Sequence, residues 1–139
     1  MNPEAVYKEL EYSILLCYED NDEFCHRHIV SAWFELFLNE EVQEVVVEGN
    51  KVTKVDRPRY IKQVLEDVIK KEKNMRGFTC LRALYLFEKS EYLEDQANKL
   101  EEEGKPSDSY RQEACYLRCD ADEAEAEYMD KKNKRCKQK

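Results

Sequence analysis

Two matched seams near the carboxyl end constrain this chain more than any other feature. Thr79, Ala83, Leu86, Ser90, Leu93, Ala97 and Leu100 recur at alternating spacings of four and three, and Tyr110, Ala114, Leu117, Ala121, Ala124 and Tyr128 repeat the alternation. Gly104-Lys105-Pro106 separates the two runs, and Ser107-Asp108-Ser109 offers helix caps. Seams of this period joined by a short breaker read as an antiparallel helical hairpin over 79–131. Folding it places Leu100 with Tyr110, Ala97 with Ala114, Leu93 with Leu117 and Ala83 with Tyr128. A seam rich in Ala and Ser buries little area, and each buried methylene contributes only about 0.8 kcal/mol. The hairpin therefore leans on the rest of the fold or on a partner, homodimerisation included.

The remainder also reads as helical. The 139 residues include only three Gly and three Pro, where average usage would supply about sixteen in all. Asn2 and Pro3 open a first helix with a stripe at Val6, Leu10, Ile14 and Cys17. Glu19-Asp20-Asn21-Asp22 then makes a polar turn. A second helix over about 23–39 is apolar almost all round in its later half (Val30, Ala32, Trp33, Phe34, Leu36, Phe37, Leu38), as a central helix is. Between 42 and 55 the period shortens. Val45, Val46 and Val47 lead through Glu48-Gly49-Asn50-Lys51 to Val52, Thr53 and Val55, a β-hairpin pairing Glu48 with Lys51 and Val47 with Val52. Asp56-Arg57-Pro58 starts a third helix with Ile61, Val64, Leu65, Val68 and Ile69 on one face, and Gly77 stops it. The expected fold is thus all-α, a single domain over 1–139 of five helices with one small β-hairpin. A helical core spans 1–78, the helical hairpin 79–131, and a basic, frayed tail 132–139.

No apolar run approaches the ~18 residues that span a bilayer. The opening Met-Asn-Pro-Glu-Ala-Val lacks the order of a secretory signal, so the expected setting is cytoplasmic and reducing. Cys17, Cys25, Cys80, Cys115, Cys119 and Cys136 are accordingly read as free thiols, several of them small buried hydrophobes.

Net charge −8 conceals segregation. Residues 1–50, 51–80, 81–130 and 131–139 carry −10, +5, −9 and +6. Lys51, Lys54, Arg57, Arg59 and Lys62 can form a docking surface for an acidic partner or a phosphate backbone. They can equally balance acidic helices within the same fold, and an overall acidic chain favours that role. Nucleic-acid binding through 51–76 is the alternative function.

Chemistry-bearing clusters are few. Cys25 and His28 on one helix, with Cys115 and Cys119 on another, make a weak candidate for a three-Cys, one-His zinc set. Adjacent Cys25 and His26 diverge on a helix and form no dyad. Glu41 with Glu44, and Glu91 with Glu94 and Asp95, would hold Mg²⁺ in an all-α nucleotide phosphohydrolase only if they projected inward from facing helices, and the helical wheel turns them outward. This is the third function considered. No catalytic residue and no cofactor is expected.

Tyr85, Tyr92, Tyr110, Tyr116 and Tyr128 exceed what the thin seam can cover, and Tyr is enriched at interfaces. The leading expectation is a non-catalytic protein-binding or regulatory protein, with Tyr92, Tyr110, Tyr116 and Tyr128 and the basic block as contact residues. Viral and phage accessory proteins that occupy a host factor are of this size and kind, an analogy of type only.

Overall fold

The computed structural model describes residues 1–19 and 23–137. Residues 20–22, most of the expected polar turn, lie outside the described residues. Five helices and one antiparallel hairpin follow in the order α1 (Pro3–Glu9), α2 (His26–Leu38), β1 (Glu44–Glu48), β2 (Lys51–Val55), α3 (Tyr60–Glu72), α4 (Leu81–Glu102) and α5 (Asp108–Lys137). The mostly helical class with a single hairpin is as the sequence implies. Chain contacts divide the molecule into two units, Met1–Lys73 and Asn74–Lys139.

In the first unit, the Asn2 side chain accepts from the backbone N–H groups of Glu4 and Ala5, and Pro3 occupies the first turn. The expected stripe through Ile14 and Cys17 is not helical. α1 ends at Glu9, Tyr12 adopts a left-handed φ of 64°, and residues 13–17 carry no regular secondary structure. The reason is tertiary: Cys17 is bonded to Cys25, which a continued helix would carry elsewhere. The expectation of six free thiols is corrected at this pair.

Cys25 is also the N-cap of α2, whose later half is buried through Phe34, Leu36 and Phe37. Tyr7 of α1 meets Phe34 edge-on, with ring centroids 5.1 Å apart and planes at 88°. Asn39 closes α2 in the left-handed conformation, where Asn is well tolerated. The β-hairpin has the expected register, Glu48 opposite Lys51 and Val47 opposite Val52. Gly49 at φ 60° supplies the turn, since a two-residue loop of this hand favours Gly at its first central position.

In the second unit α4 and α5 pack along the expected seams. Ala83, Ser90, Ala97, Ala114 and Ala121 are fully inaccessible. Small residues at every heptad let the two backbones approach closely, so dispersion between the helices compensates for the small side chains. Gly104 turns the chain with φ 70°, and the backbone N–H of Lys105 bonds the Leu100 carbonyl. The basic tail is helical where it is described. α5 continues to Lys137, supported by an i,i+4 pair of Asp130 and Lys134 at 2.6 Å and by Lys134, Arg135 and Lys137 in its last turn, where cations oppose the helix dipole.

Candidate functional site

α3 carries a wider apolar stripe than the first unit covers. Ile61 is buried and Leu65 half-buried, while Val64 and Val68, one ridge over, remain 55% and 47% exposed. The apolar face read from the sequence is thus only partly covered, since a two-ridge helix needs neighbours on both flanks. Phe24, ahead of α2, and Ile29, within it, form the facing wall. Between them and Tyr60, Val64 and Val68 lies a half-open cavity of about 170 Å³. The Cys17–Cys25 bond fixes the backbone next to Phe24, and so steadies that wall. An apolar cavity of roughly 150 Å³ accommodates a benzene ring. This one therefore has room for a single aromatic or branched aliphatic side chain.

The first unit exposes further apolar groups. Tyr12, Ile14, Leu16 and Tyr18 alternate along the non-helical segment, and all four are largely exposed, Tyr12 at 98%. Between them, Leu15 and Cys17 are half-buried.

The first unit also holds buried polar groups. His28 is wholly inaccessible, and neither ring nitrogen has a hydrogen-bond partner. Its Nε2 lies 3.5 Å from the buried Glu44 carboxylate, which accepts from Arg27 Nε at 2.8 Å. Glu44 was expected to face outward. It instead opens β1 on the inward side, where Arg27 supplies its countercharge. The helix wheel misplaced it because the residue belongs to a strand.

The basic block is partly spent within the first unit. Arg57 and Lys62 both pair with Glu35 of α2, Lys62 at 3.2 Å. Burial lowers the Arg57 pKa from its ordinary value, and its Nη1 has no hydrogen-bond partner. Lys51, Lys54 and Arg59 are exposed.

In the second unit, Tyr92 and Tyr116 are well exposed, Tyr110 less so, and Tyr128 is half-buried. The Tyr116 hydroxyl accepts from Gln112 Nε2 at 3.1 Å. Glu91 is held by a bidentate Arg76, which lowers its pKa below the usual carboxylate range, and Glu94 pairs with Arg118 at 2.6 Å. These two carboxylates therefore face cations.

The residues considered for a zinc set fall two in each unit. Cys25 is committed to Cys17 and His28 faces Glu44, while Cys115 and Cys119 are exposed on α5. Among the described residues, the metal-capable group is instead Cys17, Glu19 and Cys25, whose donor atoms all lie within 4.8 Å of one another. Two Cys eight positions apart flanking an acid were visible in the sequence, but spacing alone did not distinguish them from helix and turn residues.

No helix among the described residues is long and apolar enough to cross a membrane. No known protein family, curated protein or solved structure matches the chain.

Proposed function

We propose that this is a non-catalytic, regulatory protein that acts by binding another protein, and that the α3 cavity of the first unit receives an aromatic or branched aliphatic anchor from it. The supporting observation is the half-open apolar cavity between Phe24 and the Tyr60–Val64–Val68 ridge. Interfaces concentrate binding energy in a few large side chains that fill such pockets. The exposed Tyr12, Ile14, Leu16 and Tyr18 extend the apolar surface of the same unit, beyond the scatter of single apolar residues that soluble proteins tolerate. The pairing of Arg57 and Lys62 with Glu35 favours this reading over nucleic-acid binding, since it draws two of the five predicted bases into internal charge balance.

The test is affinity capture from the native cell with the parent chain, with Val64→Glu/Val68→Glu, and with Tyr92→Ser/Tyr116→Ser. Proteins retained by the parent and by the tyrosine variant, but lost from the valine variant, are the expected result. Replacing the partner's anchoring side chain by Ala then abolishes binding to the parent. Retention of every partner by the valine variant refutes the cavity as the site.

A further inference from the structure

We propose that reduction of the Cys17–Cys25 bond creates a zinc site from Cys17, Cys25 and Glu19. The three donor groups already converge within 4.8 Å, and the Glu19 carboxylate stands next to the Cys17 sulfur. The Cα atoms of the two cysteines are 6.9 Å apart. Two thiolates on a tetrahedral zinc ion, with Zn–S near 2.3 Å, have sulfurs roughly 3.8 Å apart. Side-chain rotation at this Cα separation lets the sulfurs part to that distance, so the backbone need not move.

The electrostatics are suited to such a site. Cys25 is the N-cap of α2 and makes no side-chain capping bond, so the positive end of the helix favours negative charge there. Two thiolates and a carboxylate bring three negative charges, which the divalent ion offsets in part. Cys25 is buried and Cys17 half-buried, whereas Glu19 is exposed. The ion therefore enters from the Glu19 side, and a water completes the fourth position, as zinc sites with three protein ligands allow.

The chemistry balances. A dithiol reductant supplies two electrons and two protons, the S–S bond breaks, two thiols form, and the reductant closes to its own disulfide. Zinc binding then releases the two thiol protons to solvent. Disulfide and zinc are thus mutually exclusive occupants of one place, and the redox state decides between them.

The experiment uses the full chain carrying Cys115→Ser, Cys119→Ser and Cys136→Ser, which removes the exposed thiols of α5. Zn²⁺ is titrated against a chromophoric chelator, with and without prior reduction by a dithiol that is then removed anaerobically. The reduced protein should bind one equivalent and the oxidised protein none. Loss of a ligand should cost at least as much as loss of an outer-shell partner, so Cys17→Ser should weaken binding by roughly 100-fold or more and Glu19→Gln by roughly 10-fold or more. Circular dichroism checks that each variant is folded. Glu19 is at the surface, so Glu19→Gln decides the matter if a cysteine variant unfolds: unchanged affinity overturns the proposal. No zinc uptake by the reduced protein also overturns it, as does unchanged zinc affinity in Cys17→Ser.

Discussion

Glu125 of α5 accepts a 2.8 Å hydrogen bond from the backbone N–H of Thr79, although 46 positions separate them. The second oxygen of the same carboxylate accepts from the Cys80 N–H at 2.8 Å, and the Thr79 hydroxyl donates to Glu125 as well. Cys80, the N-cap of α4, offers no side-chain cap of its own. A distant carboxylate thus closes the start of α4, where an unpaired N–H is costly and negative charge is favoured.

Glu125→Ala should destabilise the protein by about 1–3 kcal/mol, because it strips charged acceptors from partly buried donors. Glu125→Gln, with a single acceptor oxygen, should lie between the two. Urea unfolding checks this, the midpoint falling with the slope unchanged.

At the other end of the hairpin, Arg111 binds both Glu101 oxygens at 2.8 Å, and the Ser107 hydroxyl donates at 2.7 Å. These bonds, Arg111 first, lower the Glu101 pKa from 4.5 to about 2. A carboxyl whose folded pKa is depressed contributes stability that is full above its unfolded value and fades as pH falls. The contribution should therefore be constant above about pH 4.5 and disappear as pH falls toward about 2. A carboxyl NMR titration should find the Glu101 midpoint near 2, and Arg111→Ala should move it upward.

Ala97 and Ala114 are fully inaccessible in the close-packed seam. Ala97→Leu should cost about 1–3 kcal/mol by overpacking, despite the added apolar area. A combined Ala97→Leu/Ala114→Leu protein should fall further, since both enlarge the same interface. Thermal melts of the two variants measure both effects.

Along α3 the apolar residues are not equivalent. Ile61→Ala should cost about 2–4 kcal/mol, as a buried truncation does. Val64→Ser, at a half-exposed ridge, should change stability by no more than about 0.5 kcal/mol. Equal losses at the two positions in urea titrations would show that the Val64 ridge is buried in solution.

How much of this was legible in advance depended on whether a residue's partners were local. The β-hairpin register follows from one turn and two adjacent strands, so Glu48 opposite Lys51 was readable from the sequence. The α4–α5 seams were equally readable, because their period repeats over many residues and averages out exceptions. The end of α1 was not. Val6, Leu10 and Ile14 keep a helical spacing, but the bond from Cys17 to Cys25 outweighs propensity over the last turns. Glu125 and Glu44 were missed for the same reason: a carboxylate's role depends on which donor the fold sets beside it.

The sequence by itself determined the helical class, the β-hairpin and the paired terminal helices, because each is written in local periodicity and turn chemistry. The tertiary structure alone decided which apolar ridge of α3 stays uncovered, which cysteines meet, and which bases are neutralised by Glu35. Those outcomes depend on contacts between segments distant in the chain, which no local pattern encodes.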